Sequence, residues 1–191
     1  MGKSFSALEP AHREFIARQR IFFIASAAAG ARINVSPKPT AALRILGANA
    51  VAYLDLTGSG NETAAHLCAD GRLTLMFCAF DGPPLILRLY GAGRVVLRDD
   101  PRYDALLAEH FGGAEPPGAR QLIVLDVERV QTSCGFGVPC FAYTGERDTL
   151  QRWAATKGEA GLRAYRREKN ARSIDGLPTG FRERPEPLRI R

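Results

Sequence analysis

Long hydrophobic runs are absent from this sequence of 191 residues. A helix that crosses a bilayer needs roughly 18 or more consecutive apolar residues, and the apolar stretch at residues 21–29 is shorter than that. We therefore expect a soluble protein with no membrane partner. Because 46% of the residues are hydrophobic, the chain has enough apolar side chains for a core, and its length favours one globular unit.

Cysteine is scarce as well, with four residues at irregular spacing. Since paired C-x-x-C ligands are missing, the pattern argues against a structural zinc site, and we predict no metal. Reduced thiols in a cytoplasm fit this usage best. Cys134 and Cys140 flank a glycine-rich stretch, where structural cysteines are commoner than redox-active ones.

Positive charge is in excess only near the C-terminus. Residues 1–146 carry 14 Lys and Arg against 14 Asp and Glu, whereas residues 147–191 carry 12 against 6. A basic segment attracts anions, although a solvated helix face explains such a segment more often. The segment has no pattern of aromatic residues interleaved with the basic ones and no recognisable nucleic-acid-binding motif, so we do not expect a nucleic-acid partner.

Hydrophobic periodicity predicts a mainly β protein with peripheral helices. Strands and helices do not alternate regularly, which argues against a doubly wound parallel sheet and for an antiparallel barrel. Ser6 and Glu9 have the spacing of a capping box, and Asp100 is predicted to cap a helix at Pro101. The predicted strands are residues 21–26, 32–38, 51–56, 72–79, 85–97 and 121–132, and the predicted helices are residues 6–19, 57–71, 101–111 and 148–169.

A glycine-rich loop, Gly58–Thr63, leads into the second predicted helix. Such a loop binds phosphate because the first-turn amides are unpaired and the helix dipole favours an anion. Ser59 and Glu62 also have capping-box spacing, so a well-formed helix start is an alternative explanation of the loop, which alone is a weak signal for phosphate. His66, four residues after Glu62, is predicted to pair with it locally. The third glycine of a dinucleotide fingerprint and the lysine of a P-loop are both missing.

Polar residues also alternate along the second predicted strand. In an extended strand, residues two apart share one face. Arg32, Asn34, Ser36 and Lys38 would therefore present two cations and two hydrogen-bonding groups to a polar ligand. A solvent-facing edge strand explains the same alternation.

These two segments together resemble the pyridoxamine-phosphate-oxidase-like family of FMN-binding split barrels. In that family, a strand with spaced Arg and Lys and a later loop containing Gly and Ser hold the phosphate and isoalloxazine of FMN. The corresponding segments here are Arg32–Lys38 and Thr57–Thr63. The resemblance covers most of residues 15–140, and residues 169–178 are similar to an uncharacterised branch of the family.

The resemblance implies an antiparallel six-stranded split β-barrel that forms a twofold homodimer with two cofactor sites at the interface. It divides the chain into an FMN-binding domain, residues 1–146, and a basic helix and tail, residues 147–191, packed on the barrel or on the dimer partner. The implied function is FMN-dependent oxidation or reduction of an unidentified small molecule. The alternative is a non-catalytic binder or sensor of flavin, deazaflavin or haem.

The resemblance also implies cofactor-binding residues, whereas no residue is assigned a catalytic role. Cations would neutralise the phosphate, the middle of the strand would contact the ring or ribityl chain, and the loop would complete the cradle. In that order, the predicted residues are Arg32 and Lys38, then Asn34, Val35 and Ser36, then Thr57, Ser59, Asn61 and Thr63.

The loop departs from the family at one point. Glu62 and Thr63 stand where the oxidase has a basic pair that binds the FMN phosphate. A carboxylate beside a phosphate is unfavourable unless it is turned away or neutralised. The phosphate would then depend on Arg32, Lys38, the loop amides and the side chains of Asn61 and Thr63.

Overall fold

The structure is a computed structural model that describes residues 2–182. Eight antiparallel strands form one sheet that curls into a half-barrel, with the order β3-β2-β6-β7-β8-β5-β4 and with β1 paired to β8. The strands are Lys3–Phe5 (β1), Ile21–Ser26 (β2), Asn34–Pro39 (β3), Leu43–Ile45 (β4), Ala50–Leu56 (β5), Arg72–Cys78 (β6), Ile86–Leu97 (β7) and Ala119–Ser133 (β8). The helices are Pro10–Arg18 (α1), Glu62–Ala69 (α2), Pro101–His110 (α3) and Thr149–Lys169 (α4), and Thr40–Ala42 form a 3₁₀ turn.

The two long strands β7 and β8 organise the sheet. Their pairing shifts register between Tyr90 and Gly91. A Cβ on Gly91 would lie 1.9 Å from the carbonyl oxygen of Asp126, so this bulge requires glycine. The main core fills the inner face of the sheet and includes fully buried aromatic and aliphatic side chains: Phe22, Ile24, Leu75, Phe77, Leu87 and Leu89.

The antiparallel, mainly β prediction is confirmed, but the sheet has eight strands rather than six. The two additional strands, β1 and β4, have three residues each. At that length no alternation of apolar and polar residues is visible in a sequence. Ser4 pairs with Gln131 of β8, so the chain before α1 extends the sheet.

The start of the first helix differs from the prediction, whereas the start of α3 agrees with it. The first helix begins at Pro10, and its capping box joins Glu9 to His12 rather than to Ser6. Asp100 caps α3 as predicted, because its carboxylate accepts from the Arg102 amide over 2.9 Å. Within residues 2–182, no helix has both the length and the apolar character needed to cross a membrane.

The basic helix α4 packs against the start of β8. Its path changes direction at Gly158, where φ is +63°. Arg166 is buried, and its guanidinium donates to the Thr57 hydroxyl over 2.8 Å and to the Ala119 carbonyl over 3.0 Å. These contacts hold the C-terminal part of the chain next to the Gly58–Thr63 loop.

Candidate functional site

The edge strand β3 lies beside the start of α2. Asn34 and Lys38 pair with Ser26 and Phe22, which are buried on the inner face of the sheet. Because paired residues of neighbouring strands point to the same side, Asn34 and Lys38 share this face. The Asn34 amide donates to the Thr63 hydroxyl over 3.1 Å. The two segments identified in the sequence are therefore in direct contact.

Asp55, near the end of β5, is the centre of a buried ionic cluster. One carboxylate oxygen accepts from the Lys38 ammonium over 2.7 Å, and the other accepts from the Arg120 guanidinium over 2.6 Å. The Gln121 amide donates to the second oxygen over 2.9 Å. The carboxylate thus balances two cations while its lone pairs remain satisfied.

The surroundings of Asp55 keep it ionised. Burial by itself would raise the pKa of this carboxyl group, but the charges of Arg120 and Lys38 outweigh that effect and hold the pKa below its ordinary value. The side chain of Lys38 is 25% exposed, whereas that of Arg120 is buried. Lys38 is therefore the cation of this cluster that a ligand can reach.

The Gly58–Thr63 loop is shaped by side chains that bind its carbonyl groups. Arg120 donates to the Gly60 carbonyl over 3.0 Å, and the Asn170 amide donates to the Gly58 carbonyl over 3.1 Å. Asn61 is buried, and its side-chain oxygen accepts from Gln121 over 2.8 Å. These contacts fix the loop conformation from its buried side.

Thr57 and Ser59, which are also predicted to bind the cofactor, differ in burial. Thr57 is fully buried, and its hydroxyl donates to the Gly118 carbonyl over 2.9 Å. Ser59 is exposed in the loop. The predicted pairing of Ser59 with Glu62 as a capping box is wrong, because Asn61 is the N-cap residue of α2. The Glu62 carboxylate instead accepts from the backbone amide of Ile174 over 3.1 Å. Glu62 is therefore turned toward the C-terminal segment.

Two residues of the predicted strand do not join Asn34 and Lys38 on the polar face of β3. The Arg32 guanidinium forms an ion pair with Asp175, and its backbone amide donates to the same carboxylate over 2.8 Å. Val35 alternates with Asn34 and Ser36, so its side chain is on the opposite face of β3, where it is exposed. Ser36 is on the same face of β3 as Asn34, and its hydroxyl donates to the Asn34 side-chain oxygen over 3.0 Å.

His66 is part of a chain of polar contacts rather than a partner of Glu62, so the predicted local pair is wrong. Its Nδ1 atom lies 3.0 Å from the Ser26 hydroxyl, which accepts from the Asn34 amide over 3.2 Å. His66 is buried, and its Nε2 atom has no hydrogen-bond partner among residues 2–182. The chain links the middle of α2 to the polar face of β3.

A cleft of about 380 Å³ lies at the same end of β2 and β3, with Thr74 and Tyr90 on the opposite face of the sheet from Asn34 and Lys38. Its walls combine apolar and polar groups, as small-molecule sites do. They include Ser26, Ile33, Arg72, Thr74, Tyr90 and Glu128.

The residues that hold this site together are not among the predicted site residues. Asp55 is a lone carboxylate in an apolar strand, and Arg120 precedes an apolar run. A charge in such a position indicates a buried ion pair, and that signal was available. Asn170 and Asp175 had no comparable signal, since they lie in a polar segment.

Comparison with known proteins supports the same fold. The sequence profile of the family described as Pyridoxamine 5'-phosphate oxidase matches residues 8–134. A curated relative, the Pyridoxamine 5'-phosphate oxidase family protein ustO of Aspergillus flavus, is 40% identical to this chain in an alignment of 192 positions. The alignment covers 91% of this chain and 76% of the relative.

Solved structures share the fold at low sequence identity. HupZ of Group A Streptococcus is 16% identical with a TM-score of 0.52, over 71% of this chain and 99% of that chain. An FMN-binding protein of Nostoc punctiforme, related to pyridoxamine 5'-phosphate oxidase, is 17% identical with a TM-score of 0.50, over 69% and 87% of the two chains. The predicted split-barrel fold is confirmed.

Proposed function

The chain belongs to the pyridoxamine 5'-phosphate oxidase family, and we propose that it is an FMN-dependent oxidoreductase acting on a small molecule. One observation carries the proposal: the polar face of β3 meets the start of α2, where Asn34 bonds to Thr63. A helix start beside a strand that carries Lys38, with Arg32 just before that strand, is a suitable place for an anionic cofactor.

The donors at this place fit a phosphate-bearing flavin in their chemistry. Lys38 and Arg32 supply the cations for the phosphate, and the hydroxyl of Thr63 supplies a neutral donor. Asn34 and Ser36 supply the hydrogen-bonding groups suited to the ribityl chain or the ring edge. One arm of the Arg32 guanidinium, Nη1, is paired with Asp175, and the side chain is 75% exposed.

The flavin would supply hydride or electron transfer, which side chains cannot perform. The protein would bind and orient it. Buried contacts from Arg120 and Asn170 to the loop carbonyls would keep the loop from moving when the ligand binds.

We expect purified protein to retain FMN after unbound cofactor is removed, and we expect a nicotinamide or a substrate to bleach the flavin absorbance under anaerobic conditions. The measurement is an absorbance spectrum before and after each addition. A haem or deazaflavin spectrum, or a protein that rejects FMN, would contradict the FMN assignment.

A non-catalytic flavin-binding role is the second candidate. The observation that favours it is the pairing of the site's charged groups, since Lys38 and Arg120 bind Asp55 and Arg32 binds Asp175. A general acid or base needs a proton that it can exchange with the substrate. Flavin that binds but stays oxidised with every reductant and substrate class tested would favour this role.

We also propose that two copies form a twofold dimer, as the family resemblance implies. Several large apolar side chains are exposed on the single chain and are available for contact with a second copy. They are Ile33, Val35, Phe136, Phe141, Tyr143, Leu150 and Ile174. Light scattering on the purified protein is expected to give twice the chain mass of 20.8 kDa, and a monomer mass would contradict the proposal.

A further inference from the structure

After α4 the chain reverses in a short segment, residues 170–180, which we call the tail turn. Asn170 and Thr179 at its base are fully buried, and the Thr179 hydroxyl donates to the Asn170 carbonyl over 2.7 Å. Gly176 has a φ of +82°, a conformation that glycine adopts without strain, and this allows the reversal. The tip of the turn, residues 174–175, is therefore held at a defined position.

The tip contacts both walls of the proposed phosphate site. Asp175 forms an ion pair with the Arg32 guanidinium and accepts from the Arg32 amide over 2.8 Å. The Ile174 amide donates to both carboxylate oxygens of Glu62 over 3.1 Å. Since Arg32 precedes β3 and Glu62 begins α2, the tip bridges these two elements.

We propose that Asp175 is an internal competitor of the cofactor phosphate for the guanidinium of Arg32. The inference rests on the proposed function, because it concerns the same site. Carboxylate and phosphate oxygens both match the planar donor fork of arginine. Asp175 holds Nη1 of Arg32, so a phosphate that engages both arms of the fork displaces the tip of the tail turn.

The exposure of the pair suits a contact that a ligand displaces. The Arg32 side chain is 75% exposed and that of Asp175 is 13% exposed. Water screens the exposed Arg32 side of the pair, so the pair stabilises the fold less than a fully buried pair would. The base of the turn stays anchored by Asn170 and Thr179, and only the tip has to leave.

The charge inventory supports the same conclusion. The site contains three cations and three carboxylates, so its formal charge is zero with the tip in place. Displacement of the Asp175 carboxylate leaves an excess positive charge for the phosphate dianion. The cations are Arg32, Lys38 and Arg120, and the carboxylates are Asp55, Glu62 and Asp175.

The test is an equilibrium titration of the full chain with FMN and with riboflavin, which lacks the phosphate. We expect Asp175→Asn to tighten FMN binding by about two- to fivefold, the range set by an exposed ion pair. Riboflavin affinity is expected to stay the same. The matched control is Asp126→Asn, which removes an exposed carboxylate paired with Arg94 on the outside of the sheet and is expected to change neither affinity.

Two further measurements test whether Asp175 acts through Arg32. In an Arg32→Ala background, the gain from Asp175→Asn is expected to vanish. Amide hydrogen exchange in residues 171–176 is expected to rise when FMN binds and to stay unchanged with riboflavin. The exchange experiment uses the unmodified protein, so it does not depend on the folding of a variant.

The possible results separate this inference from the function on which it rests. FMN binding that is equal in the native chain and in Asp175→Asn overturns the competition alone. Equal tightening of riboflavin also overturns it, because the variant would then act by general loosening. A chain that binds neither flavin overturns the proposed function, and the competition with it.

Discussion

Replacement of Asp55 by asparagine is expected to lower the free energy of unfolding by about 3–5 kcal/mol at neutral pH, as for other buried ion pairs that lose one partner. The Asp55 side chain is 4% exposed and balances both Lys38 and Arg120. Asparagine keeps the volume but removes the charge. The asparagine also places an N–H group opposite hydrogen-bond donors. In addition, the guanidinium of Arg120 would be buried without its counter-charge.

Chemical denaturation of Asp55→Asn and the native protein measures this loss. The control is Asp126→Asn, which makes the same chemical change in a pair whose carboxylate side chain is 56% exposed. An exposed pair contributes about 0–1 kcal/mol, so the control is expected to unfold near the native midpoint. Equal stability of Asp55→Asn and the native protein would mean that the cluster does not support the fold.

The loss is also expected to depend on pH. Folding lowers the pKa of Asp55 below its ordinary value because Arg120 and Lys38 stabilise the carboxylate, so the unfolded chain binds this proton more readily than the folded chain does. The stabilisation is complete above the unfolded pKa and is lost as the pH falls toward the folded pKa. The difference between the native protein and Asp55→Asn should therefore shrink below about pH 4.

The fold was predictable because most of its strands are long enough to show a pattern. The strands β2, β5, β6, β7 and β8 span six to 15 residues. Their apolar composition and the turns between them indicate an antiparallel sheet. The short strands β1 and β4 exist because neighbouring strands offer free edges, and a local pattern does not contain that information.

The site was predictable only where a local period reveals it. The alternation of Asn34, Ser36 and Lys38 follows from the geometry of one strand. Their ionic partners are distant in sequence: Lys38 and Asp55 are 17 residues apart, Arg120 and Asp55 are 65 apart, and Arg32 and Asp175 are 143 apart. These pairs result from tertiary packing, so spacing rules do not identify them.

The double replacement of Arg32 and Lys38 by alanine is expected to weaken FMN binding by roughly 10²- to 10⁴-fold. Each charge-assisted bond to the phosphate contributes about 1.5–3 kcal/mol, and 1.4 kcal/mol corresponds to a tenfold change in affinity. The lower part of this range is expected, because Asp175 already satisfies Arg32 in the free protein. Riboflavin affinity should change little, since riboflavin has no phosphate.

Equilibrium titration of both flavins measures the effect, with Arg102→Ala as the control. Arg102 is an exposed arginine that pairs with Asp100 at the start of α3, so its removal makes a comparable change outside the site. Asp55 keeps Arg120 as a partner in the double variant, which protects the fold, and a thermal melt verifies this. Unchanged FMN affinity in the folded double variant would exclude a phosphate site between β3 and α2. An equal loss for both flavins would mean that the two cations support the shape of the site rather than bind the phosphate.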